Sequence, residues 1–549
     1  MNKFNKLLKT ELSYVTFTVL VAIYFALVIN LPIYKELASI TQHLDNVKLG
    51  FLISVPLFFA AALNFLFNLF SWPWITKPFF VALLVFSSAV SYAGYNYGTM
   101  FDYGMVQNIF ETDSGEAQAY ISQYSIIWVA VMGIIPAILV AKSKLVWRSD
   151  FTKLVVTKVL SMAASLAVIA FIAAFYYQDY ASIGRNNSYL KKMIIPTQFV
   201  YSTTGYIKDT YLSSPMEFKT LGAKAQQSDR AVAQANSKPN LVVFVMGETA
   251  RAQNYQVNGY PRPTNQYTQP LNMITFHDVR SCGTATAVSV PCLFTNLTHD
   301  SFDSEQATHQ DNWLDILQHA GVDVLWKEND GGDKSMAARI KKIEVDRSES
   351  NEFCDGSRCY DMALLEDFER NVDSMDGNRF VVMHLNGSHG PTYYKRYPES
   401  MAQFQPACDR ADIENCTQQE IINSYDNTIL YTDYVVSQTI KRLQALQDKY
   451  NAALVYVSDH GESLGEHGVY LHGLPYSFAP DYQNHVPLMM WFSDGFQQAK
   501  QINLSCLESH TTKRDTYSHD NLFHSMLGLM DVETDEYDAN YDLFKTCRD

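Results

Sequence analysis

Acids and histidines gather at the ends of apolar runs in this chain. In VYVSDHGESLGEHGVYLHG, residues 455–473, a β-branched strand runs into Asp459-His460 and is followed by Glu462, Glu466, His467 and His472. Carboxylate oxygen and imidazole nitrogen are ligands that zinc accepts, and a strand end followed by glycine can aim both at one point. LVVFVMGETAR, residues 241–251, ends the same way at Gly247-Glu248-Thr249. In open α/β sheets the ligand site lies outside the carboxyl ends of the strands, where these acids would converge. A third segment, SCGTATAVSVPC (281–292), offers a hydroxyl. Thr284 precedes a run of small residues able to start a helix, whose N-terminus suits a phosphate. A threonine hydroxyl is a weak nucleophile at neutral pH, and a divalent metal is one of the few ways to activate it without an adjacent base. The expected metal site is therefore Glu248, Thr284, Asp459 and His460. The competing readings are a polar loop after a buried strand and, for Thr284, an ordinary helix cap.

Strand-like runs at 241–246, 322–326, 379–384, 452–458 and 486–492 alternate with helix-like stretches such as 420–448. This pattern predicts an α/β domain with a largely parallel sheet over residues 241–549. At 549 residues the chain is too long for one ordinary core. Its net charge of −15 hides two unlike halves: residues 1–200 carry 14 Lys+Arg against 9 Asp+Glu, which leaves the remainder at −20. Only His43 of the 14 histidines precedes His277, and all 8 cysteines lie from Cys282 onward, so the chemistry is expected in the second half.

The first half has apolar runs at 12–34, 49–71, 78–97, 122–141 and 154–177, each near the ~20 residues that cross a bilayer as a helix. Five transmembrane helices over residues 1–177 are expected, the first an uncleaved signal anchor behind Lys3, Lys6 and Lys9, with Lys158 snorkelling near one end. Lys142, Lys144, Arg148 and Lys153 put that loop on the cytoplasmic side. The loop from Gly98 to Gln123 holds Asp102, Glu111, Asp113 and Glu116 without a basic residue and faces outward, as does everything after the fifth crossing. Residues 178–240 read as an interfacial element, YLKKMIIPTQFVY, followed by the linker AKAQQSDRAVAQANSKPN.

Disulfides persist in oxidising compartments, and Cys282 with Cys292, Cys354 with Cys359 and Cys408 with Cys416 are close pairs. Cys506 and Cys547 pair by elimination. Four-cysteine zinc sites are the alternative, but the repeated two-residue spacing of such sites is missing. A bacterial inner-membrane protein with a periplasmic domain fits these features.

Glu248, Thr284, Asp459 and His460, with HLNGSHGP (384–391), WKENDGGDK (326–334) and DHGESLGEHG, resemble the lipid A phosphoethanolamine transferases, including the mobile colistin-resistance enzymes. The resemblance spans nearly the whole chain and implies an alkaline-phosphatase-like fold. It implies that His389 and His472 are ligands of a second zinc or contacts to the transferred phosphate, and that His384 and Lys334 are phosphate contacts. Asn329, Asp330 and Gly331 would line the pocket. Glu462 and Glu466 are acid or base groups or partners of metal-binding histidines, the latter role being favoured for Glu466. Asn108, Thr112 and Glu116 in QNIFETDSGEA (107–117) match a lipid-handling loop, where Glu116 would meet an ethanolamine ammonium.

The reaction so implied is zinc-dependent and has two steps. Thr284 takes phosphoethanolamine from phosphatidylethanolamine, releases diacylglycerol, and passes the group to a lipid A phosphate. The added ammonium lowers the negative charge of lipid A, so resistance to polymyxins and other cationic peptides is expected. A transferase acting on another periplasmic glycan, a phosphoglycerol transferase or hydrolase on the same fold, and a non-enzymatic sensor are the alternatives. A monomer with no nucleic-acid partner is expected.

Overall fold

The computed structural model describes residues 11–42, 47–112, 114–146, 150–213, 216–514 and 516–548. Lys3, Lys6, Lys9, His43, Asp113, Arg148 and the side chain of Glu116 lie outside the described residues. The chain divides into two compact units, Met1–Val106 with Ser122–Asp209, and Gln107–Ile121 with Thr210–Asp549.

The first unit is helical. Helices α1 (Tyr14–Tyr24, continued by a π turn over Phe25–Ile29), α2 (Leu31–Gln42), α3 (Leu49–Phe70), α4 (Thr76–Tyr97), α5 (Gln123–Lys142) and α6 (Phe151–Asn186) follow one another. Among the described residues α3, α4, α5 and α6 are each long and apolar enough to cross a membrane, and α1 and α2 reach that length and apolarity only when taken together across a bend of 51°. The straight first span expected over 12–34 is thus broken. Pro32 supplies the reason, since it has no N–H to continue the ladder and its ring crowds the preceding turn; at the break the Asn30 side-chain amide donates to the carbonyls of Phe25 (3.0 Å) and Ile195 (2.6 Å) and accepts from the Ile195 amide (2.9 Å). Lys158 does not snorkel. Its ammonium is buried, donates to the Ser71 carbonyl at 2.5 Å and lies 3.9 Å above the Trp72 ring, so protein groups replace the water it would otherwise seek.

The second unit is built on an eight-stranded sheet. Its strands are β1 (Asn240–Gly247), β2 (Ile274–Arg280), β3 (Asp323–Glu328), β4 (Lys341–Glu344), β5 (Arg379–His384), β6 (Asn451–Ser458), β7 (His485–Phe492) and β8 (Tyr517–Ser518), in the order β8-β2-β7-β6-β1-β5-β3-β4. Only β7 runs antiparallel to its neighbours. All eight residues of β1 and of β6 are buried, as expected of central parallel strands covered on both faces. The strand register matters most for function. Gly247 pairs with Ser458, Met246 with His384, and Glu328 with His384, so the residues just past these positions emerge side by side.

Two helices hold the site. Helix α7 (Thr286–Phe294) starts after the extended residue Ala285, and the long α8 (Gln418–Ala445) is opened by a capping box between Thr417 and Glu420. Tyr425 of α8 reaches the turn after β1, where its hydroxyl accepts from the Arg251 amide (2.9 Å) and donates to the Thr249 carbonyl (2.7 Å). Residues 226–237, expected as linker, are structured. Gln226–Gln227 pairs with Val532–Glu533, and a helix over Asp229–Ser237 buries Ala231. All four expected disulfides are formed: Cys282–Cys292, Cys354–Cys359, Cys408–Cys416 and Cys506–Cys547.

Candidate active site

Glu248, Asp459 and His460 are completely buried and offer ligand atoms within 4.8 Å of one another. Asp459 Oδ1 accepts from the amides of Thr249 (3.1 Å) and His460 (2.7 Å), while Oδ2 accepts no hydrogen bond and lies 3.3 Å from His460 Nε2. His460 Nδ1 donates to the Gly461 carbonyl at 2.9 Å, which leaves the Nε2 lone pair facing the Asp459 carboxylate and, at 3.5 Å, Glu248 Oε1. Three acceptors thus face each other, buried just past the strand ends, an arrangement that requires protons or a cation between them. Burial, then the neighbouring Asp459, pushes the Glu248 carboxyl up; burial raises Asp459 to about 6; burial, then His472, lowers His460 to about 4. This donor set of two carboxylates and a neutral imidazole nitrogen fits a divalent metal.

The hydroxyl at this cluster belongs to Thr286, which corrects the expectation for Thr284. Thr286 Oγ1 is 3.2 and 3.3 Å from the two Glu248 oxygens and 3.3 Å from His460 Nε2. Helix α7 begins at Thr286, so this residue, not Thr284, stands at the helix N-terminus. Thr284 turns instead to the loop after His472: its hydroxyl donates to the Leu474 carbonyl (2.6 Å) and its carbonyl accepts from the Gly473 amide (2.7 Å). The sequence contained the signal, since CGTAT holds two threonines, but spacing alone did not say where the helix starts.

A second buried group, Glu248, Asp330 and His384, shares Glu248 with the first. His384 Nδ1 is 2.9 Å from Glu328 Oε2 and its Nε2 is 3.5 Å from Asp330. Burial alone would lower this imidazole, but Glu328 and Asp330 overcome it and raise His384 to about 10, while burial, then Glu248, raises Asp330 to about 7. His389 and His472 lie alongside, their rings 5.4 Å apart, with the His472 ring 4.4 Å from that of His460. His472 Nδ1 is 2.8 Å from Glu462 Oε2, and Tyr393 donates to Glu462 Oε1 at 2.5 Å. Burial raises Glu462 to about 8.

Of the other expected residues, Asn329 and Asp330 line a cavity with His389, and Glu466 takes a different place. Glu466 does not support a histidine but pairs with Arg251 at 2.7 Å, because the Leu464 amide and Arg251 both turn toward it. Lys334 donates to the Glu111 carbonyl at 3.3 Å. Asn108 is buried and its carbonyl accepts from Thr112 at 2.7 Å. The amides of Asp330 and Gly331 both donate to Glu328, and the Asn329 side chain donates to Asp361 at 2.7 Å. Asp361 went unnoticed in the sequence, yet it also accepts from the amides of Asn386 (2.8 Å) and Gly387 (2.9 Å), joining the two loops that carry Asp330 and His389. Gly387 has φ of 52°, and a Cβ there would sit 2.6 Å from the Glu248 carbonyl, so this turn requires glycine. His519 is also new. It is buried, accepts from the Cys282 amide at 3.3 Å and donates to the Ser458 carbonyl at 3.0 Å, bracing the segment before α7 against β6.

A family model described as Sulfatase matches residues 240–532, and one described as Phosphoethanolamine transferase EptA/EptB matches residues 59–211. The chain is 36% identical over 542 residues to phosphoethanolamine transferase EptA of Escherichia coli (strain K12), covering 98% of each. It belongs to the phosphoethanolamine transferase family. It is also similar to phosphatidylethanolamine transferase Mcr-1 of Escherichia coli, with 34% identity over 525 residues and 94% of each chain covered. Its structure matches the integral membrane lipooligosaccharide phosphoethanolamine transferase A of Neisseria meningitidis with a TM-score of 0.93 and 34% identity, over 98% of this chain and 100% of that one. In this transferase the acidic strand ends, the Thr286 helix and the apolar helices of the first unit are all present.

Proposed function

We propose that this transferase moves phosphoethanolamine from phosphatidylethanolamine to a lipid A phosphate on the periplasmic side of the bacterial inner membrane, through a covalent intermediate on Thr286. The observation that carries this reading is the Thr286 hydroxyl held 3.2–3.3 Å from Glu248 and His460 at the start of α7. In the first step Thr286 Oγ1 bonds to the donor phosphorus, the bond to the diacylglycerol oxygen breaks, and the hydroxyl proton is directed to the Glu248 carboxylate. In the second step an oxygen of the lipid A phosphate bonds to that phosphorus, the bond to Thr286 Oγ1 breaks, the Glu248 carboxyl returns its proton to the threonine, and the proton of the acceptor phosphate restores His472. The first turn of α7 presents backbone N–H groups to the phosphoryl oxygens. His472, oriented by Glu462, is placed to give a proton to the diacylglycerol oxygen as it leaves. Glu248, Asp459 and His460 would hold zinc, with His389 and His472 beside it for a second ion or for the phosphate. Zinc bound there supplies Lewis acidity, favouring the ionised hydroxyl and offsetting negative charge on phosphorus.

Adding an ammonium to lipid A lowers its negative charge, and polymyxins and other cationic peptides then bind it less. The test is a mass spectrum of lipid A from a Gram-negative host expressing the chain, compared with an Asp459→Asn variant at equal level. A phosphoethanolamine increment seen only with the intact chain is expected. A membrane-inserted chain that leaves lipid A unmodified would remove lipid A as acceptor and move the search to other periplasmic glycans.

A further inference from the structure

His472, placed to give a proton to the leaving diacylglycerol oxygen, directly follows a tight hairpin in which Ser463–Leu464 pairs antiparallel with Tyr470–Leu471. The residue before it, Leu471, has φ of 64°, a left-handed conformation that a bulky side chain keeps only where its surroundings hold it. One side chain does the holding. Gln483, fully buried in the turn before β7, donates from Nε2 to the Leu471 carbonyl (3.1 Å) and to Ser463 Oγ (2.9 Å), and its Oε1 accepts from the Leu474 amide at 3.1 Å. The Gln483 side chain thus grips the backbone on both sides of His472. Its own carbonyl accepts from the Gly461 amide at 3.0 Å, just before Glu462, the partner of His472. A Cβ at Gly461 would sit 2.1 Å from the Tyr482 carbonyl, so these two segments need a glycine to approach. The next residue, Asn484, accepts from the Ser281 amide at 2.8 Å, and Leu474 is the residue whose carbonyl takes the Thr284 hydroxyl. The turn before β7 therefore ties the loop that carries His472 to the segment that leads into α7.

We infer that Gln483 is a positioning residue for the first transfer step: it fixes the 461–474 loop so that the His472 imidazole meets the diacylglycerol oxygen as its bond to phosphorus breaks. The inference rests on the transferase reading above and adds to it the residue that sets His472 against Thr286. A glutamine suits this task because its amide carries two donors and an acceptor in one plane, and here Leu471, Ser463 and Leu474 use all three functions. An apolar side chain of the same length satisfies none of them, and the Leu471 carbonyl then no longer restrains the left-handed turn. The imidazole shifts while Glu248, Asp459 and His460 stay in place, because the hydrogen bonds of Asp459 and His460 go to Thr249, His460 and Gly461 and not to the Gln483 side chain. A misplacement of about 1 Å in a group that meets the reacting atoms costs roughly a hundredfold in rate.

The test follows a single turnover of the full chain in detergent, without acceptor, on two donors. Phosphatidylethanolamine expels an alkoxide that needs a proton, whereas p-nitrophenyl phosphoethanolamine expels a phenolate that leaves without one. Gln483→Met keeps the length of the side chain and loses its hydrogen bonds. It should slow diacylglycerol release by at least about tenfold and nitrophenolate release by less than about threefold, with the half-saturating phosphatidylethanolamine concentration changed by less than about threefold. In a His472→Asn background the same substitution should cost less than about twofold more, because the group it positions is gone. Gln483→Glu, whose carboxylate keeps an acceptor for the Leu474 amide and gives up both donors, repeats the test if Gln483→Met does not fold. Equal slowing with the two donors, no slowing with either, or a full additional loss in the His472→Asn background would overturn the inference. Failure of both Gln483 variants to fold would assign the residue to stability alone and overturn it as well. Absence of any leaving-group release by the unaltered chain is a different failure, and it removes the transferase reading itself.

Discussion

Exchanging the two threonines of CGTAT tests the geometry most sharply. Thr284→Ala deletes a buried hydroxyl that donates to the Leu474 carbonyl at 2.6 Å. A neutral hydrogen bond of this kind contributes about 1 kcal/mol, and a carbonyl left unpaired costs about 1–3 kcal/mol. At about 2–4 °C per kcal/mol for domains of roughly 150–250 residues, the melting temperature should fall by about 2–12 °C. Transfer should continue at a reduced rate, because Thr284 fixes the loop after His472 and not the cluster itself. Thr286→Ala removes the only hydroxyl within 3.3 Å of both Glu248 and His460 among the described contacts. Loss of a covalent nucleophile typically costs far more than a hundredfold, so a fall of at least about 10³, or about 4 kcal/mol of activation free energy, is expected. Thr286→Ser keeps the oxygen and should retain transfer within about tenfold. The assay is phosphoethanolamine transfer to lipid A by purified, folded variants. Loss of transfer in Thr284→Ala with transfer kept in Thr286→Ala would refute the reasoning.

Gly387→Ala should destabilise the protein by about 1–3 kcal/mol and depress transfer, because a Cβ at φ of 52° runs into the Glu248 carbonyl; a chemical-denaturation midpoint equal to that of the unaltered chain would contradict this. His519 is held neutral by burial at about 3, below the unfolded value, so its contribution is intact above about pH 6.5 and is lost as pH falls. Stability should therefore drop by about 1.4 kcal/mol per pH unit below that point, and His519→Asn should flatten the slope in urea titrations between about pH 7 and pH 5; parallel slopes would argue against it. Removing divalent metal with a chelator should abolish transfer and lower the melting temperature, and zinc should restore both, since a ligand that binds only the folded state stabilises it. Full activity after exhaustive chelation would count against the metal reading.

The strand ends were readable because β-branched runs stop abruptly at Gly247-Glu248 and Ser458-Asp459, and the pairing of Gly247 with Ser458 brings those acids together. The helix start was not readable. Cap preference in CGTATAVS favours Thr284 over Ala285 as the residue before the first turn, and it is overridden because the 473–474 loop claims the Thr284 hydroxyl and carbonyl. Apolar length revealed the membrane helices, and Pro32 was a local sign of the break after Ile29, but the tie from Asn30 to Ile195, 165 residues away, is one that no local pattern carries. Asp361 and His519 were hidden for the same reason, since their partners come from other strands and loops. Glu466 read as a partner for a metal-binding histidine, whereas Arg251, more than 200 residues earlier, reaches it instead.

The central claim is that phosphoethanolamine passes through Thr286. Incubating the purified chain with phosphatidylethanolamine and no acceptor, quenching, and mapping the modified peptide by mass spectrometry tests it directly. The account predicts a phosphoethanolamine adduct on Thr286 that disappears when lipid A is added. An adduct on Thr284, or transfer to lipid A with no protein adduct at any time, would contradict it.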